Sequence, residues 1–347
     1  MSGAVLTAWG VAGHDGAVEQ LRRSVKTGQI RHAMLIAGPD GIGKTTLATA
    51  FLKAVSCLNP PAPGDFCGAC RACGKIDRGV HPDIQTFDLE SQAATAAKSG
   101  ARNMTITIDT AREIRSAAAM RPIEGRWRAV VLDDAESMPE VAQEALLKTL
   151  EEPPPSMLLL LLADDAEALL PTIRSRCQVI ELRPVPKAAT EALLLAHGAN
   201  REQASELAGL AQGSPGWAMR ALKNPKLGEQ YLLNVDQAIE WVSAGAYDRL
   251  VTAVRSADRF AKARQETLGQ LGVLVGVWRD LLLLAAGLDE RVTYLAFLDR
   301  LSGLGASWQL PELKRALRSV QTCMEDLETN VRPRLAMEAM VLQWPNR

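Results

Sequence analysis

The chain has 347 residues, of which 47% are hydrophobic, 23% charged and only 4% aromatic. That is the balance of an ordinary globular protein with room for roughly two or three domains. Its formal net charge is −1 and its pI is near 6.5, which excludes the basic excess of a protein that wraps nucleic acid unaided. Residues 1–16 lack the basic start and apolar stretch of a signal peptide. The longest aliphatic run, residues 157–163, is too short to cross a bilayer, so the cytoplasm is the expected compartment.

Residues 17–27 read as an amphipathic helix ended by Gly28, 32–37 as an apolar strand, and 45–55 as helix again. Between strand and helix, Gly38, Gly43, Lys44 and Thr45 match G-x-x-x-x-G-K-[ST] in full. Gly38, Gly41 and Gly43 let backbone N–H groups close around phosphate oxygens at a helix N-terminus. Lys44 neutralises the outer phosphates, and Thr45, followed by Thr46, brings hydroxyls to the Mg²⁺ side. The plain alternative is a glycine-rich turn with a solvated lysine. The match of every fixed position and of both flanks favours a site shaped for ATP with Mg²⁺.

Cys57, Cys67, Cys70 and Cys73 follow, in the pattern C-x9-C-x2-C-x2-C. Four thiolates fill a tetrahedral zinc shell and leave no open position, so the expected site is structural Zn²⁺. An iron–sulfur cluster uses the same ligand set and is the alternative. Cys177 and Cys323 stand apart and read as buried small apolar residues.

Residues 84–87 form a short strand, 92–103 a small polar stretch expected to be a mobile loop, and 109–120 a helix that Pro122 closes. A strand at 128–132 ends in Asp133 and Asp134. Acids at the carboxyl end of such a strand sit where parallel sheets bind ligands. Asp133 is expected on the Mg²⁺ side, and Asp134 stands where a base would polarise water, with strand-end solvation as the alternative. Residues 138–150 read as helix with Pro139 in its first turn, ended by Pro153, Pro154 and Pro155. Two more strands are expected at 158–163 and 179–182. Strands alternating with helices imply a parallel sheet covered on both faces.

Pro184 and Pro186 mark a change to all-helical sequence, with helices at 188–197 and 201–212, a break at 213–216, and helix beyond Pro225. The expected division is an α/β nucleotide-binding domain over 1–182 with the cysteine module at 57–73, a small helical domain over 183–225, and an all-α domain over 226–347.

The order P-loop, four cysteines, His81-Pro82-Asp83, the stretch from Ala145 to Pro154, then Ser175-Arg176-Cys177 resembles the AAA+ clamp-loader subunits of bacterial DNA polymerase III, and among them most closely the delta-prime group. The resemblance covers about the first 220 residues. It implies a RecA-like domain with an inserted zinc module, a helical lid, and a helical collar that joins the subunits in a ring. It also implies gamma/tau and delta subunits, the sliding clamp and primed DNA as partners, at the replication fork near the nucleoid and away from any membrane. In the related subunits the arginine matching Arg176 enters a neighbour's ATP site as an arginine finger; the alternative is an ordinary surface arginine. Where the motor subunits carry Asp-Glu, this chain has Asp133-Asp134. Where they carry Gly-Ser-x-Arg, it has Gly213, Ser214, Pro215 and Gly216, and Asp164 stands where a small neutral sensor would follow the strand.

These departures imply weak or absent ATPase of its own in a scaffold and finger donor; no polymerase acid constellation is visible in the sequence, so a non-polymerising subunit is expected. An autonomous gamma/tau-type ATPase is the first alternative, and a zinc-ribbon nucleic-acid binder with a vestigial P-loop the second. Glu151 and Glu152 oppose the dipole of their helix, which fits either a tolerated exposed pair or acids facing basic groups of a partner.

Overall fold

The structure is a computed structural model describing residues 9–89, 106–329 and 331–346; the segment 92–103, read from sequence as a loop, lies outside them. Contacts divide the chain into two compact units, Met1–Met219 and Arg220–Arg347.

The first unit is built on five strands: β1 (Ala33–Ala37), β2 (Ile84–Phe87), β3 (Arg128–Leu132), β4 (Met157–Ala163) and β5 (Gln178–Glu181). They pair in the order β2-β3-β4-β1-β5, every pair parallel. Strand β4 lies in the middle and is buried along its whole length, which is why its sequence is an unbroken apolar run rather than an alternation. Successive side chains leave opposite faces of the sheet. Met34, Ile36, Leu158 and Leu160 pack with Leu21, Leu47 and Phe51 on one side. Leu35, Val130, Leu159 and Leu161 pack with Ile114 and Leu146 on the other.

The first face is covered by α1 (Asp15–Thr27), α2 (Lys44–Ser56) and a short α3 (Arg71–Asp77), the second by α4 (Ile108–Ala119) and α5 (Glu140–Glu151). Gly28, at φ 69°, ends α1 in the left-handed conformation that a side chain would resist. Thr107 caps α4, its hydroxyl accepting the Thr110 N–H. Pro139 is the residue before α5 rather than part of its first turn. Four further helices complete the unit: α6 (Pro171–Arg174), α7 (Lys187–Ala196), α8 (Arg201–Leu210) and α9 (Pro215–Lys223), the last running across the boundary. An Asn200–Gln203 capping box starts α8, and the helix ends two residues earlier than the sequence pattern suggests because Gln212 turns to φ 49°.

The second unit is all-helical: α10 (Pro225–Ser243), α11 (Ala246–Phe260), α12 (Arg264–Ala285), α13 (Leu298–Gly305), α14 (Leu310–Glu328) and α15 (Pro333–Leu342). By length and apolarity α12 passes for a membrane span. Its Val273, Leu274, Val277, Trp278 and Leu281 are instead buried within this unit, together with Asp280, whose carboxylate accepts the N–H groups of Thr293 and Tyr294 at 2.9 Å. Trp278 contacts Trp344 edge-on at 5.4 Å and Trp308 at 5.5 Å, and Trp241 meets Trp344 at 5.4 Å. The guanidinium of buried Arg249 lies 5.6 Å from the Trp344 ring and donates to Pro345 O at 2.7 Å, so the chain's end is pinned by stacking and hydrogen bonding together.

Asp83, from the His81-Pro82-Asp83 motif, is buried and accepts the N–H groups of Glu124 and Gly125 at 2.8 Å, and that of Ile123. Burial alone would raise its pKa, but these three donors outweigh it and hold the carboxyl below its ordinary value. A carboxylate with a depressed folded pKa stabilises the fold above its unfolded pKa and loses that contribution as pH falls through the folded one. Asp83→Asn is expected to cost about 1–3 kcal/mol at neutral pH. The gap from wild type should narrow on acidification towards about pH 2. Urea denaturation at both pH values measures it; a gap independent of pH contradicts the assignment.

Candidate functional site

The loop after β1 turns sharply enough to cradle an anion. Gly38, Gly41 and Gly43 take φ values of 153°, 70° and 114°. A Cβ at Gly38 would lie 2.5 Å from Leu182 O, so the position requires glycine. The loop is braced from behind by His14, whose Nε2 is 3.0 Å from Ile42 O. Lys44 does not reach outward. Its ammonium donates to Gly38 O at 2.7 Å and forms a short ion pair with Asp164, which directly follows β4. The Lys44 side chain is 9% exposed, so this cation is satisfied between its own loop and the residue after β4. Thr45 and Thr46 are exposed, and both line a hollow of about 300 Å³ with Trp9, Thr49 and Phe66.

Asp133 lies where the sequence places it, at the end of β3, its Oδ2 accepting from Thr45 Oγ1 at 3.2 Å. Asp134 is the residue after it, at φ 53°. Burial, then the neighbouring charge of Asp133, pushes the Asp134 carboxyl above its ordinary value. Glu136, which the sequence did not single out, is raised by burial too; its Oε1 accepts the Asp164 N–H at 3.2 Å. The cradle thus faces several acids and one internally paired lysine.

The segment 213–216 closes over the same loop. Ser214 Oγ donates to Asp40 O at 3.1 Å, and the Gly216 N–H donates to Gly41 O at 2.7 Å. A Cβ at Gly216 would stand 2.8 Å from Gly41 O. Any side chain at 216, an arginine included, would push this segment off the loop.

The four thiols of Cys57, Cys67, Cys70 and Cys73 lie within 4.8 Å of one another. Cys57 Sγ and Cys70 Sγ are 4.0 Å apart, close to the ~3.8 Å that sulfurs about 2.3 Å from one tetrahedral ion require. The Cys67 and Cys70 N–H groups donate to sulfur at 3.2 Å, which supports thiolate charge. Burial pushes the Cys73 thiol up to about 12, with Cys70 adding to it. At Cys70 burial works the same way, but the Cys73 and Leu58 N–H groups and the nearby thiols bring it down to about 6. Four thiols this close deprotonate together only around a cation, so the donor set suits a metal ion. Cys323 is buried and Cys177 partly so, and burial pushes each thiol up to about 12; neither belongs to the cluster.

At the opposite edge of the sheet, Ser175, Arg176 and Cys177 lead into β5. Arg176 is exposed, donates to Thr172 O at 3.0 Å, and pairs with Glu151 Oε1 at 2.6 Å. Glu151, itself exposed, therefore meets a basic group of its own chain.

A family model for the DNA polymerase III delta subunit matches residues 13–186. The chain belongs to that family. It is 38% identical to the DNA polymerase III subunit delta′ of Pseudomonas aeruginosa over 195 residues, covering 55% of this chain and 56% of the relative. With delta′ of Escherichia coli it shares 33% over 203 residues, 58% and 57% of the two chains. A gamma/tau subunit of Mycobacterium tuberculosis is 31% identical over 184 residues, 53% of this chain and 30% of the relative. The chain therefore spans about half the length of the delta′ relatives it matches. The AAA+ type of fold expected from sequence is the one observed, a parallel P-loop sheet flanked by helices and followed by a helical C-terminal unit.

Asp164 pairs with the cradle lysine, and Gly216 donates to the cradle backbone. Asp164→Asn removes the counter-charge of Lys44 and leaves a side chain of the same size. Affinity of the purified chain for a fluorescent ATP analogue should rise about fivefold, from ~1 kcal/mol of opposing charge. Fluorescence titration reads this directly. Unchanged affinity would mean that the pair does not compete with phosphate.

Proposed function

We propose that the chain is a clamp-loader subunit of the delta-prime kind, a scaffold and arginine-finger donor in ATP-dependent loading of the sliding clamp onto primed DNA. Arg176 completes the nucleotide site of a neighbouring gamma/tau subunit, and delta shares the ring. The observation that carries this reading is the Lys44–Asp164 ion pair: a cradle whose lysine is already neutralised is poorly placed to drive its own hydrolysis. Gly216 hydrogen-bonded to Gly41 supports it, because the loop's cover is held on without a nucleotide-sensing side chain. Arg176, exposed and tied only to exposed partners, is free to exchange Glu151 for a phosphate. Planar guanidinium suits that task because it binds phosphate oxygens bidentately.

In this reading residues 1–182 form the nucleotide-binding domain, 183–225 the lid and 226–347 the collar of a cytoplasmic complex at the replication fork. Cys57, Cys67, Cys70 and Cys73 hold a structural Zn²⁺, which supplies cross-linking and no chemistry. Gly38, Gly41, Gly43, Lys44, Thr45 and Thr46 would hold the phosphates of any ATP that binds, with Asp133 on the Mg²⁺ side and Asp134 an ineffective base. The Thr45–Asp133 contact at 3.2 Å favours a second reading, an autonomous gamma/tau-type ATPase, since it is the pairing that a magnesium site needs.

In the reconstituted loader, Arg176→Ala should lower ATP turnover by roughly 10³-fold while the mass of the complex stays unchanged. Wild-type turnover in that variant would count against the finger. Chelation of the metal should lower the thermal midpoint of the isolated chain by several degrees, about 1–3 kcal/mol or more. A midpoint that ignores the chelator contradicts a structural metal.

A further inference from the structure

A hollow of about 550 Å³ opens at the edge of the sheet opposite the cradle. Three segments converge on it: a face of α1 carrying Gln20, Arg23 and Ser24, the approach to β1 carrying Arg31, and the loop carrying Arg176. Its lining contains three arginines and no aspartate or glutamate. Arg23 and Arg31 are exposed, and neither has an ion-pair partner among the described residues. Arg176 alone is restrained, by Glu151 at 2.6 Å. Like charges gathered in one concavity repel unless an anion fills it, and they focus a positive potential outward.

The backbone segments that carry Arg23 and Arg31 are held in place. Positions 20, 23, 24 and 27 share one helical face of α1, while Val18 and Leu21 are buried on the other. The next residue, Arg22, grips Asp65 of the cysteine module through two hydrogen bonds of 2.7 and 2.8 Å. Arg22 O sits so close to Gly64 that a Cβ there would be 2.6 Å away. Trp9 Nε1 donates to Gly64 O at 3.2 Å, and its ring faces Phe66 at 6.3 Å. The cysteine module therefore clamps α1 and fixes the face that carries Arg23. On the other side, His32 Nε2 lies 3.1 Å from Leu150 O at the end of α5, which anchors the segment carrying Arg31. Fixing the backbone beneath these cations in advance lowers part of the cost of receiving an anion.

We propose that Arg23, Arg31 and Arg176 form one socket for the polyphosphate chain of a nucleotide held by the neighbouring subunit. The inference rests on the finger reading of Arg176 and extends it. Arg176 meets the phosphoryl group under transfer, and Arg23 and Arg31 are positioning residues that hold the remaining phosphate oxygens. A polyphosphate carries more charge than one guanidinium neutralises, and bidentate guanidinium contacts fix its orientation. No bond is made or broken by these two residues. They should therefore act on nucleotide affinity more than on the rate of the step itself.

Two measurements test this. First, inorganic tripolyphosphate is titrated calorimetrically into the full chain carrying Lys44→Ala, which disables its own cradle. Binding should persist there, weaken about tenfold or more when Arg23→Gln and Arg31→Gln are added, and recover in part with lysine at both positions. Absence of binding in the Lys44→Ala chain overturns the socket. Second, in the reconstituted loader the Arg23→Gln/Arg31→Gln chain should raise the KM for ATP about tenfold or more while kcat changes little. If Arg176→Ala abolishes turnover and the double variant leaves KM unchanged, the socket fails and the finger stands. If neither chain alters turnover, both fail. A fall in kcat matched by a fall in the chain's thermal midpoint would mark the two arginines as structural and overturn the socket.

Discussion

The constraint on which everything else depends is that all five strands run the same way. A parallel sheet has two chemically different edges. At the carboxyl edge lie the cradle after β1, Asp133 after β3 and Asp164 after β4; at the amino edge lie Arg31 before β1 and Arg176 before β5. Strand β4, buried along its length and paired on both sides, locks this polarity. The phosphate cradle and these arginines therefore lie at opposite ends of the same strands.

Electrostatics then divides the labour between the edges. At the carboxyl edge the positive charge is turned inward: Lys44 is shared between Gly38 O and Asp164, Glu136 holds the Asp164 N–H, and the Gly216 N–H is taken up by Gly41 O. At the amino edge Arg23 and Arg31 are exposed without an ion-pair partner among the described residues, and Arg176 is paired with the exposed Glu151. The cysteine module belongs to this second arrangement. Its Gly64, Asp65 and Phe66 are stapled to Trp9 and Arg22, so a metal held by its thiolates would stiffen the helix that carries Arg23.

What the sequence conveyed, and what it hid, follows from the range of the interactions. Residues 128–132 were legible as a strand from a short, β-branched apolar run too brief for a helix, and 84–87 from Ile84 and Phe87 between turn residues; both have those bounds in the structure. The Gly38–Thr45 pattern and the cysteine spacing were legible because each site is built from one contiguous segment. Helix α3 was obscured because it is only seven residues long and contains Gly74. The partnership of Lys44 with Asp164 joins residues 120 apart, and that of Ser214 with Asp40 joins residues 174 apart; no local pattern encodes either. Asp164 could be seen as unsuited to a neutral sensor, but not as the counter-ion of the cradle lysine. Glu151 was recognised as misplaced on its helix, and its reason, Arg176, came only with the fold. Arg23 and Arg31 look like ordinary solvated charges until three segments close around one hollow. The tryptophan cluster was equally hidden, since Trp241, Trp278, Trp308 and Trp344 are widely spaced in a chain otherwise poor in aromatics.

The central claim is that this chain's own cradle is neutralised from within while its amino edge serves a neighbour. Steady-state ATP turnover by the purified chain alone, with Lys44→Ala as control, tests it most directly. No turnover above that of the control is expected. Lys44-dependent turnover near about 1 s⁻¹ or faster, the low end for a working enzyme, would contradict it and establish an autonomous motor.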